Sequence, residues 1–332
     1  MLHREILIST RYTYCNFETF VLVFVANFIL FSAGIMAFCG QVSAAPPDET
    51  GIQSQGGAVD REFKLNNAEL TESSGLAFSN LAPGYLWSHN DSGSRAHLFA
   101  FGETGNAVGS IRFSDQVAAN DWEDMASFVD GGVPRLLVAD CGDNQANRNS
   151  VSLYIFDEPD PTMVSRVTDF QVVKIRYPSG PRDCEAVAVD VTHREIILFT
   201  KSFLPLSDVF VVALPPRDQK QIAVIDARRV TSVAIPLVTG ADFDPVTGNL
   251  WLCNYFQCYR YEPSLQESEI RLLDTVRNVP YPVSLPAWKQ IEAIAVDRKG
   301  RAWVTSEGNR TPLGRLSCLK LSKSSTLKIA PP

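Results

Sequence analysis

Histidine is scarce in this chain, and the common sequence motifs of nucleotide-binding sites and of catalytic nucleophiles are absent. Of its 332 residues four are histidine, and only His89, His97 and His193 follow the first 45 positions. There is no GxSxG, GxxxxGK, GxGxxG or HExxH segment. The sequence therefore offers no serine-hydrolase elbow, no nucleotide or redox cofactor site and no zinc-protease site, whereas metal-assisted hydrolysis remains open.

A basic surplus and long runs of one charge sign are also lacking. The chain has 30 Lys and Arg against 37 Asp and Glu, a formal net charge of -7 at pH 7. A general nucleic-acid binder needs a basic face, so we expect no nucleic-acid partner.

One long apolar run is present, from Phe20 to Phe38, with Arg4 and Arg11 before it and VSAA at 42–45 after it. These are the three parts of a cleavable signal peptide. A bilayer-spanning helix takes about 20 residues, so an uncleaved membrane anchor over residues 1–45 stays open. We expect a secreted or periplasmic protein, or one anchored with its domain on the extracytoplasmic side, in contact with a membrane only through this segment.

Residues 46–58 are rich in Pro, Gly and Gln and predict a flexible linker. From 59 to about 325 the chain changes to short apolar runs separated by turns, such as EIILFT at 195–200 and LWLCNY at 250–255. Their β-branched and aromatic content predicts strands, and no helical spacing is sustained. Because many runs are apolar at consecutive positions, both faces of the sheets must be covered, as in a β-propeller.

An internal repeat supports the propeller. Five segments open with an acidic residue, about 50 to 60 residues apart, which suits a four-stranded blade with its loops. The acids are Glu72, Glu123, Glu185, Asp242 and Glu292. Five blades are favoured, while a degenerate sixth between residues 204 and 240 stays open. We expect the strand at 59–65 to pair with the last strand near Leu316–Leu321 and close the ring.

The strand after each acid ends in polar residues, and antiparallel pairing brings that end beside the acid. All five pairs should then face one mouth of the central channel, where the polar residues are candidates for binding a small-molecule or extracellular ligand. These candidates are Asn90, Asp140, Asp143, Asn144, Lys201 and Glu307.

Five converging carboxylates repel one another, so something must offset their charge. Two explanations remain open. Each acid accepts hydrogen bonds from the neighbouring inner strands, or the acids bind a cation, for which hard oxygen ligands favour Ca²⁺.

His89 lies in the segment SHNDSG, beside Asp91. It is the histidine best placed for general-base work, so His89 and Asp91 are the candidate catalytic pair. The alternative is that His89 is a hydrogen-bonded residue of the channel mouth.

A family resemblance rests on these segments taken together. They are, in order, ESSGLA, LWSHNDSG, DWEDMA, DCGDN, PRDCEAVAVD, FTKS, VTGADFDP, IEAIAVD and TSEG. Over roughly residues 65–320 the chain resembles bacterial secreted propellers, similar to the SdiA-regulated and esterase-like phytase families, in which E-(G/A)-(L/I)-A recurs once per blade. The resemblance implies five or six blades, export and a channel calcium ion, but no particular reaction.

Two functions follow as expectations. One is an exported propeller that binds a ligand or partner through an acidic central channel. The alternative is a Ca²⁺-dependent hydrolase with esterase, lactonase or phosphoesterase chemistry.

Overall fold

The computed structural model describes residues 58–317, apart from residues 94, 116, 118 and 265–270. The expected leader at 1–45, nearly all of the expected linker and the final residues of the expected domain lie outside the described residues. Within the described part, no helix is long and apolar enough to cross a bilayer. The helix α1 (Leu272–Thr275) is a single turn.

Five sheets build the fold, each with a core of four antiparallel strands. Blade 1 contains β2 (Ser73–Phe78), β3 (Tyr85–Asn90), β4 (His97–Gly102) and β5 (Ala107–Phe113). Blade 2 contains β6 (Trp122–Asp130), β7 (Val133–Asp140), β8 (Val151–Asp157) and β10 (Gln171–Arg176). Blade 3 contains β11 (Cys184–Asp190), β12 (Glu195–Thr200), β13 (Ser207–Ala213) and β15 (Arg228–Val233). Blade 4 contains β16 (Val238–Phe243), β17 (Leu250–Asn254), β18 (Gln257–Tyr261) and β19 (Tyr281–Ser284). Blade 5 contains β20 (Ile291–Val296), β21 (Ala302–Ser306), β22 (Pro312–Leu316) and β1 (Val59–Lys64).

Two blades carry an additional outer strand in parallel orientation. The strand β9 (Val164–Val167) pairs with β5 of blade 1, and β14 (Gln221–Asp226) pairs with β10 of blade 2. The region between residues 204 and 240 therefore supplies outer strands to blades 2 and 3. It does not form a sixth blade, so the five-bladed alternative is confirmed and the six-bladed one is wrong.

The innermost strands close a ring. Their neighbours run in the order β2, β6, β11, β16, β20 and back to β2. The expected closure is also confirmed, because β1 pairs antiparallel with β22, with Val59 opposite Leu316. The first described strand and the last one thus complete a single blade, which joins the two ends of the described domain.

Side chains between neighbouring blades form the core. The largest fully buried ones include four tryptophans, Trp87, Trp122, Trp251 and Trp303. Two of their indole N–H groups donate to carboxylates, that of Trp87 to Glu158 and that of Trp303 to Asp297. These rings hold blades together, which is why their strands are apolar on both faces.

The channel has two ends of different character. One end is formed by the first residues of the five inner strands and the last residues of the strands that follow them. At the other end a cavity of about 600 Å³ is lined by apolar residues of the inner strands, such as Phe78, Phe128 and Phe243, and by charged residues that include Asp242 and Asp297.

Candidate functional site

A β-bulge occurs at the same place in every inner strand and defines which residues are equivalent. In each case the pairing register shifts around one residue near the strand start. The five bulge residues are Ser74, Glu123, Glu185, Thr239 and Glu292. Because bulges redirect a side chain, they set what each blade presents at this mouth. Three blades present a glutamate and two present a hydroxyl.

The expected ring of five equivalent acids is therefore wrong at two positions. Glu72 is exposed and lies two residues before the bulge of blade 1. Asp242 lies three residues after the bulge of blade 4, inside the channel, where it accepts hydrogen bonds from the N–H groups of Phe243 (2.8 Å) and Val296 (2.7 Å). The internal repeat placed the five acids at equivalent positions, whereas the structurally equivalent residues of the blades are those at the bulges.

The hydroxyls of the other two blades bridge to the next blade. Ser74 Oγ donates to the carbonyl oxygen of Glu123 at 2.6 Å, and Thr239 Oγ1 donates to that of Ile291 at 3.1 Å. At these two positions a neutral contact takes the place of an acid.

Residues that the repeat did not reveal enlarge the acidic group. Asp121 and Asp183 occupy the same position in their blades as Glu72, since the carbonyl oxygens of all three accept the N–H of a residue following the second strand. We call the whole group the acidic mouth. It consists of Glu72, Asp91, Asp121, Glu123, Asp183, Glu185, Glu292 and Glu307, which interact electrostatically with one another.

Within the acidic mouth, Asp91, Asp121 and Glu123 form a tight trio. One carboxylate oxygen from each lies within 4.8 Å of the others. Gly142 makes this approach feasible, because a Cβ atom there would collide with Glu123 Oε1 and with the carboxyl group of Asp121. A glycine that accommodates two acids is consistent with a site that must hold them close together.

A second cluster surrounds Lys201. Its Nζ lies 3.0 Å from Glu185 Oε1 and 5.4 Å from the ring centroid of Tyr255. The carboxyl group of Glu185 also interacts electrostatically with that of Glu123 and raises its pKa. Glu185 therefore connects the trio to Lys201.

Blade 5 supplies another carboxyl pair. The charge of Glu307 raises the pKa of Glu292, which also interacts electrostatically with Glu185 and Lys201. Glu292 is nearly fully buried and Glu307 is half-buried. The structure thus brings Lys201 and Glu307 into the mouth, where the sequence analysis expected them.

Burial raises the pKa of most of these acids, and neighbouring carboxylates add to the effect. The pKa of Asp121 rises to about 6, through burial and then the Asp91 charge. Burial raises that of Glu185 to about 7 although Lys201 opposes the shift, and burial with Glu307 raises that of Glu292 to about 9. The pKa of Glu123 is raised well above its ordinary value by burial and by Glu185. The raised pKa values show that Lys201 alone does not offset the burial and the mutual repulsion of these acids.

The donor set fits a hard cation. The trio offers only carboxylate oxygens, which suit Ca²⁺ or Mg²⁺ and not the softer transition metals. Three carboxylates from two blades leave further coordination positions for water or a ligand. Of the five acids expected to hold a metal, Glu123 is in this trio and Glu185 adjoins it.

His89 does not lie at the mouth surface, contrary to the catalytic expectation. Its side chain is fully buried against Trp122 and stacks over Gly75, where any Cβ would collide with the ring. Its Nδ1 lies 2.9 Å from the carbonyl oxygen of Asn90. Burial lowers the pKa of His89 to about 4. Without access to a ligand it is a structural residue, whereas Asp91 does face the mouth.

Four of the expected ligand-binding residues serve the backbone or lie outside the mouth. Asn90 accepts from the N–H groups of residues 71 and 72 and donates to the carbonyl of residue 69. Asp140 Oδ1 accepts a hydrogen bond from Arg148 Nη2 at 2.6 Å. The carboxylate of Asp143 caps the turn that follows, where it accepts hydrogen bonds from the backbone N–H groups of residues 147 and 148. Asn144 is exposed on that turn. Their polarity is explained by turn formation.

Asp124, which was not among the residues selected from the sequence, lies in the channel behind the mouth. It is fully buried and accepts hydrogen bonds from the N–H groups of Met125 (2.8 Å), Val187 (2.9 Å) and Ala241 (3.2 Å). One carboxylate therefore ties blades 2, 3 and 4 together across the axis. It fulfils the blade-locking role that the sequence analysis had considered for the repeat glutamates.

No protein-family model and no curated protein sequence matches the chain. Among solved structures it is similar to the PQQ-bound aldose sugar dehydrogenase of Streptomyces coelicolor, with 9% identity, a TM-score of 0.42 and coverage of 77% of this chain and 98% of that one. It is also similar to a chain of the mitotic checkpoint complex, with 10% identity, a TM-score of 0.40 and coverage of 84% and 98%. Similarities this distant carry no argument about function. The resemblance to bacterial secreted propellers stays a prediction.

Proposed function

We propose that this propeller binds a calcium ion at its acidic mouth and uses the ion to hold a small-molecule or extracellular ligand. The observation that carries the proposal is the trio of Asp91, Asp121 and Glu123, whose oxygens lie within 4.8 Å of one another. A bound cation would offset the mutual repulsion of these buried acids.

The number of oxygen ligands that calcium requires leaves room for a bound ligand as well as the ion. Calcium takes six to eight oxygen ligands, and three carboxylates supply only part of that number. Lys201 and the hydroxyl group of Tyr255 lie in the same mouth and can donate hydrogen bonds to a ligand oxygen. A ligand with carboxylate, hydroxyl or phosphate oxygens could thus bridge the ion and these donors.

Calcium titration calorimetry tests this proposal. We expect a dissociation constant between about 10⁻⁶ and 10⁻³ M for the unaltered protein. Asp121→Asn should weaken binding at least about tenfold, because a charged oxygen ligand is lost. The matched control is Asp218→Asn, an exposed acid in the turn between β13 and β14 and outside the mouth, which should bind as the unaltered protein does. Equal affinity in all three proteins would contradict the proposal.

A second proposal, Ca²⁺-dependent hydrolysis, is favoured by one observation. Glu185, with a pKa of about 7, lies beside both the trio and Lys201, so it could exchange a proton near neutral pH. In this proposal Glu185 takes the role that the sequence analysis gave to His89. Ester, lactone and phosphoester substrates would be tested with and without Ca²⁺. Turnover that is lost in Glu185→Gln while calcium binding persists would support the enzyme, and no turnover of any substrate would oppose it.

Export completes the proposal and rests on the first 45 residues of the sequence. Cell fractionation with N-terminal sequencing of the mature protein tests it. A new N-terminus near Ala44 or Ala45 supports secretion, and an intact N-terminus in the membrane fraction supports the anchor. An intact protein in the cytosol would contradict both.

A further inference from the structure

A cavity of about 680 Å³ lies beside β4 and β5 of blade 1, and the three residues of the trio are not among those that line it. Its rim carries three arginines, Arg95, Arg112 and Arg166, and its wall includes His97. We call it the arginine pocket. Phe99, Phe113 and Val117 also line it.

Two of the arginines have no partner within the described part of the chain. The guanidinium groups of Arg95 and Arg112 make no side-chain hydrogen bond or ion pair to a described residue. Arg166 lies 3.3 Å from Asp115, but both side chains are largely exposed, so this pair is weak. Three cations beside one cavity are notable in a chain whose net charge is -7.

His97 forms part of the cavity wall. Its side chain is only 10% exposed, and Nε2 is buried with no hydrogen-bond partner among the described residues. Its other nitrogen, Nδ1, lies 3.7 Å from Glu69 Oε2, too far for a hydrogen bond. Because Nε2 is itself inaccessible, His97 shapes the wall of the cavity and does not contact a ligand there.

Part of the remaining wall is apolar. The Phe99 ring packs on His97 with centroids 4.3 Å apart, and Phe113 packs edge-on against Trp122. The guanidinium group of arginine binds carboxylate and phosphate groups with paired hydrogen bonds. The aromatic rings of the wall can pack against an aromatic or aliphatic group of the same ligand.

We propose that the arginine pocket binds a small organic molecule that carries a phosphate or carboxylate group, with the anion at Arg95 and Arg112 and the apolar part over Phe113. Glu69 and Asp115 also face this cavity, and their charges limit the affinity for a bare inorganic ion. The pocket differs from the acidic mouth in charge sign, so its ligand does not depend on calcium.

Phenyl phosphate is a suitable probe because it combines both features, with benzoate and inorganic phosphate as comparisons. The protein is first passed over a chelating resin, since a soluble chelator is itself a polycarboxylate that would compete. Calorimetry should show phenyl phosphate binding more tightly than inorganic phosphate. The relative affinity for benzoate then distinguishes a phosphate from a carboxylate preference.

Arg112→Gln should weaken phenyl phosphate binding about tenfold, because one charge-assisted contact is lost. Arg95→Gln provides a second variant if the first does not fold. The matched control is Arg277→Gln, an exposed arginine that pairs with Asp274 beside α1, and it should bind normally. Unchanged affinity in Arg112→Gln and Arg95→Gln, no binding by the unaltered protein, or binding that requires added calcium would each overturn the proposal.

Discussion

Glu123 and Asp124 are adjacent acids, both almost fully buried, yet they have opposite surroundings. Asp124 lies after the bulge and accepts three backbone N–H groups from three blades. Glu123 is the bulge residue and meets other carboxyl groups, those of Asp91, Asp121 and Glu185. One acid is satisfied by the fold, and the other is left for a cation.

The same contrast separates Asp242 from Glu292. Asp242 accepts two backbone N–H groups and links blades 4 and 5, whereas Glu292 pairs with another acid, Glu307. The difference teaches that position relative to the bulge, and not residue type, decides whether an acid of this channel holds blades together or faces a ligand.

The largest expected effect on stability comes from removing the carboxylate of Asp124. Asp124→Ala would leave three buried N–H groups without an acceptor, which should lower the free energy of unfolding by about 3–5 kcal/mol. Asp124→Asn keeps an accepting oxygen and should lose less. Thermal melts of both variants check this order. A melting temperature of Asp124→Ala equal to that of the unaltered protein would show that Asp124 does not lock the blades.

Glu123→Gln should have the opposite effect on stability. It removes a carboxyl group whose ionised form is disfavoured by burial and by Glu185, so the calcium-free variant should be slightly more stable than the unaltered protein, by about 1 kcal/mol. The stabilisation by calcium, about 2.7 kcal/mol at a hundredfold excess over the dissociation constant, should largely disappear. Melts with and without calcium measure both. A destabilised variant that keeps its calcium response would contradict the contrast with Asp124.

The pH dependence of stability sharpens the comparison further. Burial lowers the pKa values of His89 and His97, so their contribution to stability rises with pH and is complete above about pH 7.5. The raised pKa values of Glu185, about 7, and Glu292, about 9, mean that at these carboxyl groups the folded state holds more protons than the unfolded one. Stability should therefore fall between about pH 7.5 and 9 in calcium-free protein. Melts across this range check it, and Glu292→Gln should flatten the decline. A melting temperature that rises over the range would contradict the assignment.

The smallest effect is expected at Glu72, the exposed acid of the mouth. Because solvent screens its charge, Glu72→Gln should change the calcium dissociation constant less than about threefold. Calorimetry beside Asp121→Asn makes the comparison. A loss at Glu72 as large as that at Asp121 would restore the ring of equivalent acids that the structure replaces.

The fold could be predicted because its signals are periodic. Apolar runs, the repeat spacing and the strand at 59–65 depend on local composition, and the five blades follow from them. The mouth was only partly predictable. Asp121 and Asp183 precede Glu123 and Glu185 by two residues, so a shared D-x-E pattern was available, but the bulge that separates Glu123 from Asp124 is visible only in the paired strands.

The roles of His89 and Asn90 could not be predicted for a related reason. Polar residues at strand ends serve turns and ligands alike, and the sequence does not show which donors are already used. Asn90 has its amide occupied by three backbone groups, and His89 lies beneath the mouth over Gly75. Only the three-dimensional contacts show that the Asn90 amide is already hydrogen-bonded to the backbone and that His89 is buried.

The most direct measurement is anomalous diffraction from a crystal grown with calcium and without chelator. We predict a peak between Asp91, Asp121 and Glu123, with carboxylate oxygens from all three at about 2.3–2.6 Å. A mouth with no peak, or an ion held instead by Glu72 or Asp242, would contradict the account.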